Sequence, residues 1–330
     1  MSTAVPRIVL IGGTGRSGTN VTKEIFSRHP EVATLPFEHR FVIDPDGIVD
    51  FYQSYSGAWS PFMADKKLRR FERYMTSLAH EPGIQRIIGN IVRKFNRDGK
   101  KLSPRSYHGW NLDEHFPGYS EELSVMMGKL REFSFPGCWP GMDSYTRNAH
   151  LSYGRPLSKP ELAQILGAFL NNVLASLLEK RGKSVFVEDN TWNILFAQEL
   201  HELMPQAKML HIVRDPRDVV CSFLKQRWCP SSLTQATAYY QGIASRWLEI
   251  KKGLAPGFCM EIKLEDIVAQ PEPVLRNICE FLSLPFAPEL LSVDLSKSHS
   301  GRWKKELDEA SQRELESLLG VSLEAMGYQS

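Results

Sequence analysis

The chain has 330 residues, 42% hydrophobic and 24% charged, which is the ordinary globular range and enough to bury a sizeable core. With 40 basic against 38 acidic residues the formal net charge is +2, so no global field points to nucleic acid and any anion must be held locally. Cys138, Cys221, Cys229, Cys259 and Cys279 form neither a CxxC pair nor a zinc-ligand spacing and read as reduced thiols.

The N-terminal apolar run reaches glycines too soon for a signal peptide, and no stretch approaches the roughly 20 apolar residues that span a bilayer. A cytoplasmic protein without a transmembrane segment is the expectation. Residues 8–11 are branched and apolar and end at Gly12-Gly13, the pattern of a buried parallel strand entering a phosphate-type loop. Residues 17–28 carry Val21 and Ile25 at helical spacing and stop before Pro30.

Across 41–157 aromatics, prolines and glycines crowd together, Tyr52, Tyr55, Trp59, Phe62, Trp110 and Trp139 among them, and the segment reads as a largely helical and irregular insertion. An amphipathic helix follows over 162–181, then a buried strand over 185–187 and a helix over 193–204 ended by Pro205. Strand 208–213 runs straight into Arg214-Asp215-Pro216. Helices over 217–227 and 235–251, a strand over 258–263 and a helix over 271–282 complete the pattern. Strands alternating with helices imply a single three-layer α/β/α domain with a central parallel sheet.

The loop Gly13-Thr14-Gly15-Arg16-Ser17-Gly18-Thr19-Asn20 admits three parses. All use one physical device: a glycine turn after a strand converges backbone N–H groups on an anion at a helix N-terminus. As GxGxxG it matches the dinucleotide fingerprint, with Glu31 or Glu38 loosely placed for a ribose. As a Walker A loop it fails, because Thr19 stands where the phosphate-binding lysine belongs and Asn20 where the magnesium-binding hydroxyl belongs. The third parse is GGxxRSGT.

That third form resembles the 5′-phosphosulfate loop of the sulfotransferase family, especially its tyrosylprotein-type and bacterial branch. His211-Ile212-Val213-Arg214-Asp215-Pro216-Arg217-Asp218-Val219-Val220-Cys221-Ser222 resembles the same family's 3′-phosphate motif, an arginine at a strand end with a serine eight residues on. Ser300-Gly301-Arg302-Trp303-Lys304 is similar to its late GxW segment. The resemblance implies a P-loop-like fold and a sulfuryl transfer from 3′-phosphoadenosine 5′-phosphosulfate to a hydroxyl, without a metal. It assigns Arg16, Ser17, Gly18, Thr19, Asn20, Arg214 and Ser222 to the donor, with Lys297, Arg302 and Lys304 as further basic candidates. Arg217 and Asp218 have the plainer reading of local ion pairs at a helix start.

Two departures stand out. Leu264 replaces a tyrosine that contacts adenine in the family. At Glu188-Asp189-Asn190-Thr191-Trp192, Asn190 replaces a lysine that stabilises the bridging oxygen; either Arg16 with Lys183 or Lys23 takes over its work, or Asn190 donates a neutral hydrogen bond. Asp189 and Thr191 have the alternative reading of helix caps. Transfer needs a base, and Glu38 stands where the tyrosylprotein-type branch carries a glutamate base, with His39 as the alternative and His108, His115 and His150 in the insertion. Arg16 and Glu38 are thus the catalytic candidates. The aromatic insertion is the expected acceptor region, for a small-molecule, carbohydrate or lipid acceptor. The competing functions are a dinucleotide-dependent oxidoreductase and a non-catalytic nucleotide-binding protein.

Overall fold

The computed structural model describes residues 5–38, 40–79, 111–142, 150–296 and 300–329. Among them are seven strands: β1 (Arg7–Gly13), β2 (Val32–Ala33), β3 (Phe133–Pro136), β4 (His150–Tyr153), β5 (Val185–Asp189), β6 (Lys208–Val213) and β7 (Cys259–Lys263). The chain divides into two compact units. One is built from Arg40–Gly182 with Met1–Pro6 and Glu202–Met204, the other from Arg7–His39, Lys183–His201 and Pro205–Ser330.

The second unit holds a five-stranded sheet in the order β2-β5-β1-β6-β7, with every pairing parallel. Val9, Ile11, Val187, Leu210, Ile212 and Ile262 recur at alternate strand positions and pack on one face against Ile25 and Phe26 of the first helix, Thr19–Ser27, and Leu275 and Ile278 of the helix Pro271–Phe281. The intervening Ile8, Leu10, Phe186 and Met209 are buried too, so both faces are covered, as the near-continuous apolar runs require. A further apolar cluster joins Val219, Val220 and Phe223 to Tyr240 and Ala244 and to Leu315, Leu319 and Leu323 of the helix Glu309–Ala325.

The sheet positions the site through its strand order. β1 is central, with β5 on one side and β6 on the other, so the chain leaves the C-terminal end of β1 at the switch point where α/β sheets bind ligands. Register brings Ile11 beside Asp189 and Gly13 beside Ile212, which puts the ends of β5 and β6 level with the glycine loop.

In the first unit the helices Ile48–Gly57, Pro61–Ala79, Tyr119–Leu130 and Lys159–Arg181 pack around aromatic pairs such as Phe51 on Phe71, stacked at 4.3 Å. Half of the described aromatics in 41–157 are core, Tyr52, Tyr55, Phe71 and Tyr119 among them. The helix Lys159–Arg181 starts with a capping box between Ser158 and Glu161 and ends at Gly182 in the left-handed region. It has the length and hydropathy to cross a bilayer, as mostly buried core helices also do, and so marks no clear transmembrane segment. Its Leu, Ile, Val, Phe and Ala residues are interrupted by Gln164, Asn171 and Asn172, so no uninterrupted apolar run results, and 56% of its most apolar window is buried.

Candidate active site

The loop after β1 is shaped by close approach. A Cβ on Gly13 would overlap Ser17 Oγ and stand 2.9 Å from the Ile212 carbonyl of β6, so no side chain fits there. Gly15 and Gly18 have φ of +89° and +108°, and Arg16 between them has φ +56°, a left-handed conformation that a side chain adopts only at a cost. Gly18 is the N-cap of the helix Thr19–Ser27 and supplies no side-chain cap, so the first-turn amides open onto the loop. Ser17 is fully buried and its hydroxyl has no hydrogen-bond partner among the described residues. A buried, unsatisfied hydroxyl over a nest of amides is the geometry of an anion site.

The second motif arrives beside it. Arg214 follows the last residue of β6 and is 6% exposed; Asp215 caps the helix Pro216–Phe223 by accepting from the Arg217 amide at 2.9 Å. Ser222 sits two turns along that helix, buried. The two motifs touch: Arg16 Nε donates to Ser222 Oγ at 3.0 Å, and Arg214 Nη1 donates to the Arg16 carbonyl at 3.1 Å. Burial lowers the Arg16 pKa, and the charges of Arg214 and Arg302 lower it further. Three guanidinium groups lie close together, with Arg214 paired to Asp218 and Arg302 to Glu306 while Arg16 has no carboxylate partner among the described residues, which creates a demand for an anion.

Asp218, fully buried, accepts the amides of Gly301 (2.8 Å) and Trp303 (3.0 Å), which ties the Gly301-Arg302-Trp303 segment to the Arg214 helix. Arg302 pairs with Glu306, and Lys304 lies over the Trp303 ring. Arg217 is held by Asp215 and Glu316 and stacks on Trp303, the structural role expected of it and of Asp218. Lys297, His39 and His108 lie outside the described residues.

On the other side of the loop, Asn20, Lys23, Leu35, Phe37, Glu38 and Asp189 line a cavity of about 450 Å³. Asn20 and Glu38 therefore share one cavity, whose lining includes none of Arg16, Arg214 and Arg302. Lys23 Nζ stands 2.5 Å from Asp189 Oδ1; burial raises the Asp189 pKa against the opposing pull of that lysine. Lys183, the other substitute considered for the lysine missing at 190, donates to the Pro30 carbonyl just before β5 begins, at the opposite end of that strand. The helix cap here is Asn190 and not Asp189 or Thr191: its Oδ1 accepts from the Trp192 amide at 3.1 Å, while its buried Nδ2 has no partner among the described residues. Leu264 packs against Gly18 at the loop's base. Trp228, whose ring lies 3.2 Å from where a Gly15 Cβ would be, was not legible in the sequence, because it follows the second motif by an irregular turn. Among the described residues no group of three or more His, Cys, Asp or Glu is placed to hold a metal ion.

A parallel α/β sheet carrying an arginine-bearing glycine loop at its switch point, braced by a second arginine–serine motif, defines a protein that binds a multiply anionic ligand. The chain belongs to the sulfotransferase family, whose model matches residues 107–288, more than half of its length. That match contains the Arg214–Ser222 motif. The chain is also similar to a Caenorhabditis briggsae sequence described as "Putative protein-tyrosine sulfotransferase", 24% identical over 132 residues that make up 38% of this chain and 46% of the relative. A Caenorhabditis elegans sequence of the same description is 23% identical, over 38% of this chain and 49% of the relative. The chain thus spans about half the length of the curated relatives it matches. Among solved structures, a sulfotransferase from Alicyclobacillus acidocaldarius aligns over 98% of this chain and 94% of its own at 15% identity, with a TM-score of 0.45.

Proposed function

We propose that the chain transfers a sulfuryl group from 3′-phosphoadenosine 5′-phosphosulfate to a hydroxyl of a small-molecule, carbohydrate or lipid acceptor. The observation that carries this reading is the junction of the two motifs, Arg16 Nε on Ser222 Oγ and Arg214 Nη1 on the Arg16 carbonyl. It offers two adjacent anion sites, one for the 5′ end of the donor at the loop and one for the 3′-phosphate at Arg214 and Ser222. Arg302, and Lys297 ahead of it in the chain, would close over the 3′ side.

In the reaction, the acceptor oxygen attacks sulfur in line, its new S–O bond forming as the S–O bond to the 5′-phosphate breaks, and adenosine 3′,5′-bisphosphate departs. Loop amides, Ser17 and Arg16 stabilise charge on the departing group. Glu38, on the cavity beside Asn20, takes the acceptor's proton. The reading of the loop as a dinucleotide fingerprint loses one of its two ribose candidates. Glu31 bonds Arg7 and Ser184 at the N-terminal ends of β1 and β5, the far edge of the sheet from the loop. Calorimetric titration of adenosine 3′,5′-bisphosphate, with NAD and ATP as controls, tests the function. Binding of the bisphosphate in preference to both supports it, and a preference for NAD overturns it.

A further inference from the structure

We propose that Lys23, oriented by Asp189, is the cation that grips the transferred sulfonate on the acceptor side of the loop; the inference rests on the sulfuryl-transfer reading above. The loop's own arginine is committed elsewhere. Arg16 turns its Nε to Ser222 and shares its surroundings with Arg214 and Arg302, so its charge serves the departing nucleotide and not the incoming acceptor. A sulfuryl group in a loose transition state needs compensating charge on the side from which the acceptor comes as well. Lys23 is the one basic side chain among the described residues that line the cavity there.

The lysine projects from the first helix, one turn beyond Thr19, and its side chain is 18% exposed. It is aimed by a carboxylate with no other evident task. Asp189 is 1% exposed, and among the described residues neither of its oxygens has a hydrogen-bond donor apart from the Lys23 ammonium. The neighbouring Glu188, by contrast, accepts from Asn193 Nδ2 at 2.7 Å, and Asn193 also bonds the Ile11 carbonyl of β1. An incompletely satisfied buried ion pair is a poor stabiliser of a fold, because desolvation offsets the Coulombic gain. Its placement at the end of a central strand, level with the glycine loop, is accounted for by what the ammonium can reach. One further buried polar atom beside the end of this strand, Asn190 Nδ2, has no hydrogen-bond partner among the described residues.

Lys23 neither gains nor loses a proton in this scheme. Its ammonium donates to a sulfonate oxygen as sulfur passes from the 5′-phosphate oxygen to the acceptor oxygen, while the acceptor's proton goes to Glu38. Asp189 is a positioning residue, since it acts only through Lys23.

The test needs no acceptor. Adenosine 3′,5′-bisphosphate lacks the sulfonate, so the preference of the protein for 3′-phosphoadenosine 5′-phosphosulfate over the bisphosphate reports the contact directly. The wild-type chain is expected to favour the sulfonated nucleotide by about tenfold, the worth of one charge-assisted hydrogen bond. Lys23→Gln should abolish that preference and leave bisphosphate affinity within about twofold, well under one such bond. Lys23→Arg should keep it, and Asp189→Asn should reduce it; melting temperatures identify any variant that fails to fold, and the two Lys23 variants suffice if Asp189→Asn does. A preference unchanged in Lys23→Gln, equal loss of both nucleotides, or no preference in the wild type overturns the proposal. Failure of the wild type to bind either nucleotide instead overturns the sulfuryl-transfer reading, and this inference with it.

Discussion

Replacing Gly13 with alanine is the sharpest perturbation the loop allows. The added methyl would overlap Ser17 Oγ and press within 2.9 Å of the Ile212 carbonyl and 3.3 Å of Ser17 Cβ. The serine hydroxyl can rotate away, but the carbonyl belongs to β6, which is paired to β1 along its length. Relief therefore requires the loop to lift off the sheet, at a cost of about 2 kcal/mol by analogy with overpacked cores. Lifting also moves the loop amides and Ser17 away from the anion they converge on, so bisphosphate affinity should fall by about 100-fold, or 2.7 kcal/mol. Calorimetry together with thermal unfolding measures both effects. A companion variant separates the two contacts: adding Ser17→Gly to Gly13→Ala removes the hydroxyl overlap but not the carbonyl contact, and should recover little of the lost stability. If Gly13→Ala melts and binds like the wild type, the close-packed description of the loop is refuted.

Ser222→Ala removes both a phosphate donor and the acceptor of the Arg16 Nε bond, and isothermal titration should show adenosine 3′,5′-bisphosphate bound about tenfold more weakly. Glu38→Gln should bind the bisphosphate as the wild type does yet slow transfer to any working acceptor by about 100-fold, measured as labelled sulfate moved per turnover. The Glu261 carboxyl is raised by burial, but hydrogen bonds from His211, Lys251 and Trp247 outweigh that and hold it at about 2. A depressed carboxyl contributes stability above its unfolded pKa and loses it as pH falls through the folded value. The stability gap between wild type and Glu261→Gln in denaturant titrations should therefore hold steady from neutral pH to about 5 and shrink between about 4.5 and 2. A gap that grew as the pH fell would contradict that assignment.

Much of the second unit could be read from the chain because its signals are local. Branched apolar runs mark β1, β5 and β6, and each ends in residues that announce a turn: Gly12-Gly13, Asp189-Asn190 and Arg214-Asp215-Pro216. The strand Val32–Ala33 is too short for any alternation to register. The helix Glu309–Ala325 carries a readable signal, Leu315, Leu319 and Leu323 at four-residue spacing behind an Asp308 cap. What no local pattern holds is the meeting of distant residues. Arg16 touches Ser222 because β1 and β6 are neighbours, and Lys23 meets Asp189 because β1 and β5 are. Adjacency of strands far apart in the chain is a property of topology. Asn190 illustrates the same limit at short range: as a residue type it signals only the loss of a positive charge, whereas the fold makes it a helix cap with its amide nitrogen left to donate.

The central claim, that the glycine loop and the Arg214–Ser222 motif form a single donor site, is tested most directly by a crystal structure of the protein with adenosine 3′,5′-bisphosphate. The account predicts the 5′-phosphate over the amides of the loop with Ser17 Oγ donating to it, and the 3′-phosphate within hydrogen-bond reach of both the Arg214 guanidinium and Ser222 Oγ. A nucleotide bound elsewhere, or with only one of its phosphates engaged by these residues while Arg16 stays on Ser222, would contradict it.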